Sequence, residues 1–296
     1  MRAFKHISFI FLLLLAAGKG FAQYSNLEKA LDLYREKKLD SAKVFIDSAA
    51  VHPQTEDDYQ VWMVRGFIYK ELHKTKEGSN PASILRELAV EYFYKALKLD
   101  TGNANPQKDG ILKSFKYIAS TYHNDINKTL DTLSYEISLS NAGKFVSLTK
   151  YLDPTFNDKS YNFEVLLAVG SMFEKEYERG NSKRSFDLAK VYLFKAHDID
   201  SSAFLVNKNL GLLYYNQAVE IINKMDVDVS LEELPVYQDR SVKLGKQALS
   251  YCLKAHASRP DDKVVVEALA GIYYLLNETD KHNEFKKKLE ELNKQQ

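Results

Sequence analysis

Residues 207–214, NKNLGLLY, and residues 248–255, ALSYCLKA, indicate the fold of this chain. The first stretch places a large residue before Gly211 and an aromatic residue three positions after it, inside an apolar run of helical period. Three other glycines stand in the same pattern: Trp62-x2-Arg65-Gly66-x2-Tyr69, Leu166-x2-Val169-Gly170-x2-Phe173 and Glu267-x2-Ala270-Gly271-x2-Tyr274. Glycine inside a helix costs about 1 kcal/mol relative to alanine. Its recurrence at one phase therefore predicts a close contact with a neighbouring helix.

The second stretch also recurs, as alanines spaced to lie on one face of a helix. Its five copies are Ala42-x3-Ile46-x2-Ala49, Ala89-x3-Phe93-x2-Ala96, Ala142-x3-Val146-x2-Thr149, Ala189-x3-Leu193-x2-Ala196 and Ala248-x3-Cys252-x2-Ala255. Pro53, Pro154 and Pro260 follow three of them, where proline ends a helix. The two patterns predict six helical pairs, near residues 26–53, 59–100, 109–154, 163–200, 204–259 and 264–294, the last ending the array as a polar-faced cap.

Together the patterns resemble the tetratricopeptide repeat (TPR), which has W-x2-L-G-x2-Y on its first helix and A-x3-F-x2-A, then proline, on its second. The resemblance covers nearly all of residues 23–296 and is weakest in the third pair, where only the second helix fits. It implies an all-α, superhelical solenoid of about six helical hairpins. The stretches around Gly211 and Ala248 are also similar to exported TPR proteins of Bacteroidetes.

The spacing between the two patterns exceeds that of a plain repeat in the second, fourth and fifth pairs. We expect the extra residues to lengthen the helices and to widen the turns around residues 78–81, 180–182 and 225–235. Such turns are either functional insertions or decorated loops. The polar segment Thr101–Asp109 is a short linker at most, and residues 23–296 are treated as one array.

The first 22 residues have the features of a secretory signal peptide. Arg2 and Lys5 precede the apolar segment Ile7–Ala17, and Ala22 ends the leader on a small residue. The alternatives are an uncleaved anchor, for which the apolar segment is too short, and a lipoprotein, for which a cysteine near the cleavage site is missing. The mature chain is expected to be periplasmic or secreted after cleavage at Ala22.

Composition argues against several functions. The net charge is +1 and the leader carries only basic charges, so the mature chain lacks the basic surplus that nucleic-acid binding requires. No metalloprotease, nucleophile-elbow or phosphate-loop motif occurs. Cys252 lies in an apolar helical pattern, and His197 with Asp198 fits a helix end better than a metal site. We expect no enzyme activity, no metal and no cofactor.

The TPR resemblance implies a partner-binding concave face made by the first helices. One turn from each glycine, this face takes Gln60, Met63, Phe67 and Lys70 from the second pair, Glu164, Leu167, Ser171 and Glu174 from the fourth, and Leu205, Lys208, Leu212 and Tyr215 from the fifth. The residues that TPR proteins use to bind acidic chaperone tails are not present. An apolar centre with charge around it suits an apolar peptide or helix of a partner protein. The alternative is that Phe67 and Leu212 pack against the neighbouring repeat.

Two functions remain open from the sequence. The first is a non-catalytic interaction scaffold or adaptor of the bacterial envelope. The second is a periplasmic binding module for a glycan or peptide that serves an uptake system. The 19 tyrosines and 16 phenylalanines permit either role, because helical spacing gives most of them a packing role as well.

Overall fold

The computed structural model describes residues 25–102, 105–228, 230 and 232–294, which form helices and turns and contain no β-strand. The leader, residues 1–22, and its cleavage site lie outside these residues. The helices in chain order are α1 (residues 25–35), α2 (Leu39–Ala50), α3 (Tyr59–Leu72), α4 (Ile84–Leu99), α5 (Lys108–Lys128), α6 (Tyr135–Leu152), α7 (Asp158–Gly180), α8 (Lys183–Ile199), α9 (Phe204–Asp228), α10 (Leu234–Ser258), α11 (Lys263–Leu275) and α12 (Thr279–Lys294). Within the described ranges, no helix combines the length and the apolar composition needed to cross a membrane.

The helices form six consecutive pairs, which confirms the all-α, TPR-type fold. The largest difference from the expected bounds is the start of the fourth pair, expected near residue 163 and found at Asp158. The side chain of Asn157 accepts a hydrogen bond from the main-chain N–H of Ser160, and this cap lets the helix begin earlier.

The extra residues of the long pairs are mostly helical. Only residues 181–182 separate α7 from α8, and α9 and α10 are each 25 residues long. Pro235 lies in the first turn of α10, where its missing N–H needs no partner. Of the segment 225–235, expected as a wide turn, residues 225–228 belong to α9 and residues 234–235 to α10.

Three of the four glycines face the second helix of their own pair. A Cβ built on Gly66 would lie 2.6 Å from the ring of Phe93, and one on Gly170 would lie 2.8 Å from the side chain of Leu193. At Gly211 the same atom would lie 2.4 Å from the Sγ of Cys252 and 3.1 Å from its main-chain nitrogen. The alanines of the second helices are fully buried in four pairs, which explains why only a small residue recurs there.

The fourth glycine, Gly271, does not face the second helix of its own pair. In the last pair the TPR pattern is shifted by one residue from the position expected from the sequence. Gly271 faces Tyr215 on α9, and Tyr274 is 73% exposed. Ala270 and Tyr273 are buried instead, and the Tyr273 ring stacks on Phe285 of α12 with centroids 5.5 Å apart. In this pair Ala270 takes the place of the glycine, because a methyl group is small enough for the contact.

The first helix of the third pair also carries the repeat, contrary to expectation. Phe115-x2-Ile118-Ala119-x2-Tyr122 has the TPR spacing with alanine in place of glycine, and all four residues are buried. The alanine pattern of the second helix of this pair is confirmed in part: Ala142 is buried, whereas Val146 and Thr149 are half-buried.

The chain divides into two compact units, with boundaries after Thr129, after Leu139 within α6 and after Phe156, and with none at segment 101–109. Unit 1 contains the described residues up to Thr129 together with Ser140–Phe156. Unit 2 contains Leu130–Leu139 and the described residues from Asn157 onward. Each unit has its own apolar core.

Unit 1 also buries a charged network that the sequence did not indicate. The Arg86 side chain is 1% exposed, and its guanidinium lies 2.8 Å from the Asp125 carboxylate, 2.8 Å from the carbonyl oxygen of Pro81 and 3.9 Å from the centre of the Tyr122 ring. These contacts connect α4 to α5 and compensate the burial of both charges.

Candidate partner-binding surface

In unit 1 the residues predicted to bind a partner serve largely in packing. Gln60 is exposed, whereas Met63, Phe67 and Lys70 are half-buried. The Phe67 ring meets the Phe93 ring edge to face at 5.0 Å and would lie 3.2 Å from a Cβ on Gly110 of α5. Lys70 pairs with Glu71 at 3.1 Å. Phe67 thus has the packing role that the sequence left open as an alternative.

In unit 2 the corrected phase extends the expected set of residues onto α11. One face of the three first helices α7, α9 and α11 forms a row of residues, the unit 2 row. Its members are Glu164, Leu167, Ser171, Glu174, Leu205, Lys208, Leu212 and Tyr215, as expected, together with Val264, Glu267, Gly271 and Tyr274. The last four were not part of the expected set, which took no residues from the final pair.

Polar contacts tie the first helices of the unit 2 row to one another. The Asn209 amide on α9 donates to the Ser171 hydroxyl on α7 at 2.6 Å, and Ser171 donates to the Leu167 carbonyl at 2.7 Å. Lys208 lies 3.0 Å from both carboxylate oxygens of Asp262, the residue that caps α11. These members of the row hold neighbouring repeats in register.

Among the carboxyl groups of the row, Glu174 has the largest shift in pKa. It is 6% exposed, and burial raises its pKa to about 7, with a further increase from the nearby charge of Glu178. A carboxyl group in this state is partly protonated at neutral pH. It is therefore a weak site for a cationic ligand.

The open part of the row is a groove between α9 and α11. A Cβ on Gly271 would lie 2.0 Å from the Tyr215 hydroxyl, so only glycine admits this ring. Together with the Lys208–Asp262 contact, which comes earlier along both helices, this contact shows that α9 and α11 run in parallel. α11 ends at Leu275, whereas α9 continues to Asp228.

The α9–α11 groove lies where the longer helix passes the end of the shorter one. It has a volume of about 530 Å³. Its lining residues are Tyr215, Val219, Ile222, Gly271, Tyr274, Leu275, Asn277, Thr279 and His282. The apolar part comes from α9 and α11, and the polar part comes from Asn277 in the turn before α12 and from Thr279 and His282 at the start of α12. Val219 and Ile222 belong to the helical extension that the sequence marked as an insertion.

Two aromatic side chains at this groove have defined surroundings. The His282 Nδ1 lies 2.9 Å from the carbonyl oxygen of Ala270, so Nδ1–H donates a hydrogen bond to that oxygen. The Tyr274 and His282 rings are 5.4 Å apart. The groove thus offers an exposed aromatic surface, an apolar floor and hydrogen-bonding groups at one edge.

Cys252 and Asp200, which the sequence placed near candidate chemistry, have structural surroundings. Among the described residues, no three His, Cys, Asp or Glu side chains gather closely enough to hold a metal ion. Cys252 is fully buried, and burial raises the pKa of its thiol to about 12, which keeps it protonated and unreactive. The carboxylate of Asp200 accepts hydrogen bonds from the N–H and the hydroxyl of Ser202, as in a turn after a helix.

No protein-family model and no curated protein matches the sequence. Among solved structures, the chain is similar to PilW, a type IV pilus biogenesis factor, with 17% identity over 90% of this chain and 92% of that chain and a TM-score of 0.30. It is similar to human IFIT1 in a dimer with m7Gppp-AAAA, with 18% identity over 88% of this chain and 58% of that chain and a TM-score of 0.34. It is also similar to Acl4, an assembly chaperone of RpL4, with 14% identity over 92% of this chain and 98% of that chain and a TM-score of 0.23. At these identities and TM-scores, none of the three assigns a function to this chain.

Proposed function

We propose that this chain is a non-catalytic interaction scaffold of the bacterial envelope that binds an apolar segment of a partner protein in the α9–α11 groove. The observation that carries the proposal is the exposure of Tyr274, 73%, beside an apolar groove at the end of the unit 2 row. Exposed apolar groups that are contiguous and rimmed by polar residues mark interaction sites.

The make-up of the groove supports a peptide or helix as the ligand. Tyr215, Val219 and Ile222 form an apolar floor, while Asn277 and His282 supply hydrogen-bonding groups at the edge. Tyrosine is enriched among residues that contribute most to binding energy, because its ring buries a large area with few rotatable bonds. An apolar centre with a polar rim is the usual anatomy of a protein interface.

The envelope location rests on the leader sequence alone. Residues 1–22 have the basic start, the apolar segment and the small residue at position 22 that signal peptides share. Intact-mass measurement of the protein from its native host should show the loss of these residues. A full-length cytoplasmic species would refute export while leaving the groove proposal standing.

The groove is tested by comparing two exposed apolar residues of unit 2. Tyr274 lies in the groove, whereas Val236, 67% exposed on α10, does not. A partner captured from the host envelope is identified, and its affinity is then measured by calorimetry for Tyr274→Ala, Val236→Ala and the unchanged chain. Tyr274→Ala should weaken binding by about 2 kcal/mol, roughly 30-fold, with an unchanged melting curve. Val236→Ala should bind like the unchanged chain.

Two results would count against this proposal. Equal affinities for the two variants would remove the groove from the binding surface. If the groove variant instead loses affinity for a glycan or a free peptide, and no protein is retained, the chain is a binding module for an uptake system. The tyrosines beside Asn277 and His282 make that second function chemically reasonable, because sugars stack on aromatic rings and hydrogen-bond to such groups.

A further inference from the structure

The α9–α11 groove is the end of a longer valley between two parallel helices. On the row face of α9, residues follow one another at three- and four-residue spacing: Leu205, Lys208, Leu212, Tyr215, Val219 and Ile222. On α11 the same spacing gives Val264, Glu267, Gly271 and Tyr274. This spacing keeps each set on one face of its helix. Because α9 and α11 run in parallel and touch at Tyr215 and Gly271, the two sets border a single valley.

α9 has apolar residues on two different faces. The first face carries Gly211 and meets Cys252 of α10. The second face carries Leu212, Val219 and Ile222, which are half-buried, and it borders the valley. An apolar stripe on a helix is the surface on which another element packs. The valley face of α9 is therefore suited to a further helix.

α11 covers only part of this second face. Tyr215 lies opposite Gly271. One turn later, the last residue of α11, Leu275, is therefore opposite Val219. Ile222 lies about one further turn on, beyond the end of α11. The space left beside Ile222 by the shorter helix is the α9–α11 groove.

The valley carries a negative charge that is not compensated. Lys208 lies 3.0 Å from both carboxylate oxygens of Asp262, so this pair is neutral. Glu267, one turn before Gly271, is exposed and forms no ion pair with any residue that the structure describes. A ligand in the valley therefore meets a free carboxylate.

The end of α11 favours a positive charge in the same place. The carboxyl end of a helix bears roughly half a negative charge, because its last carbonyl groups point the same way. The last turn of α11 contains no basic side chain, and two of its residues, Tyr274 and Leu275, line the groove. The groove thus opens at a helix end whose partial charge no basic residue of that turn offsets.

We propose that the segment bound in the α9–α11 groove is an amphipathic helix with lysine or arginine beside its apolar stripe. The helix lies along the valley, with apolar residues on Tyr215 and Tyr274 and basic residues beside Glu267 and the end of α11. From Val264 to Tyr274 the valley is about 15 Å long, or about three helical turns. This inference rests on the function proposed above and adds the secondary structure and the charge of the ligand.

Synthetic peptides test both properties. A fluorescein-labelled peptide of about 18 residues, five helical turns, carries leucines at three- and four-residue spacing and lysines beside them. A second peptide replaces every lysine by glutamate, and a third keeps the lysines but has a proline in its middle, which breaks the helix. Fluorescence anisotropy with the full chain should show at least tenfold tighter binding of the lysine peptide than of either other peptide. Added salt should reduce the difference between the lysine and glutamate peptides.

Charge reversal in the valley is the matching test on the protein. Glu267→Lys should weaken binding of the lysine peptide at least tenfold and should strengthen binding of the glutamate peptide. Glu290→Lys makes the same charge change at an exposed site on α12 and should leave both affinities unchanged. Far-ultraviolet circular dichroism checks that both variants keep their helices, as expected for exposed positions.

Equal binding of the lysine and glutamate peptides, or an equal loss in Glu267→Lys and Glu290→Lys, would overturn the charge assigned to the ligand. Equal binding of the proline peptide would overturn its helical form. Tyr274→Ala separates these failures from a failure of the function proposed above. If Tyr274→Ala weakens binding of the lysine peptide and Glu267→Lys does not, the groove stands and the ligand charge is wrong. If Glu267→Lys weakens binding and Tyr274→Ala does not, the groove is not the binding site and the proposed function is wrong.

Discussion

Replacing Gly211 by alanine tests the close helix contact that fixes the repeat phase. Alanine in a helix interior is favoured over glycine by about 0.5–1 kcal/mol. At this position, however, the new methyl would lie 2.4 Å from the Sγ of Cys252 and 3.1 Å from its main-chain nitrogen. The backbone atom cannot turn away as a side chain can, so α9 and α10 must separate. Such overpacking costs about 1–3 kcal/mol.

The same substitution at Gly180 is the matched control. Gly180 ends α7 in the same unit, no heavy atom lies within 4 Å of its Cβ position, and its φ is not positive. Gly180→Ala should therefore keep or slightly raise stability. Gly211→Ala should be less stable than Gly180→Ala by about 1–3 kcal/mol, read from urea unfolding midpoints followed by circular dichroism.

The double variant Gly211→Ala with Cys252→Ala adds a check on the cause. Removal of Sγ takes away the nearest atom, so the cost of the methyl at residue 211 should be smaller in this background than alone. Equal midpoints for Gly211→Ala and Gly180→Ala would refute the phase of the repeat. An unchanged cost of Gly211→Ala in the Cys252→Ala background would show that the main-chain contact alone is responsible.

Three further substitutions follow from the structure. Burial raises the Glu174 pKa from 4.5 to about 7, so the free energy of unfolding of the unchanged chain should fall as pH rises between these values. Glu174→Gln should remove that pH dependence and should be more stable by up to about 3 kcal/mol at pH 8. A variant whose stability changes with pH in parallel with the unchanged chain would refute this. Gly271→Ala should cost less stability than Gly211→Ala, because the Tyr215 ring can move into the groove. The displaced ring should weaken binding of the partner. An unchanged affinity would argue against the groove as the binding site. Arg86→Met should cost about 3 kcal/mol in thermal or urea unfolding, because it removes the guanidinium and leaves the buried Asp125 carboxylate with the ion pair to Lys128. A neutral effect would show that water replaces the guanidinium.

Most of the fold could be predicted from the sequence because two local rules recur in it. The alanine pattern marks the buried face of the second helix in the first five pairs, and the glycine pattern placed the sixth. The glycine pattern marks a close contact but does not say with which helix. Gly66, Gly170 and Gly211 face their own second helix, whereas Gly271 faces Tyr215 of the preceding pair. A search for glycine also overlooks Ala119, which occupies the glycine position of the repeat in α5.

The candidate site was predicted in part. Tyr215 lies in the α9–α11 groove, whereas Phe67 and Lys208 make packing and ion-pair contacts. Tyr274 was missed because the one-residue phase error placed it in the core. The division into two units was missed for another reason: one of its boundaries falls after Leu139 within α6, an uninterrupted helix, where no loop composition marks it. The leader and its cleavage at Ala22 stay predictions.

The most direct test of the α9–α11 groove as a partner-binding site is photo-crosslinking in the native host. A photoreactive phenylalanine analogue replaces Tyr274 in one strain and Val236 in another, so that both probes are exposed in unit 2. After irradiation, position 274 should yield a discrete adduct whose mass spectrum identifies one apolar segment of a partner protein, and position 236 should yield none. Adducts at both positions, or at position 236 alone, would contradict the assignment of the groove.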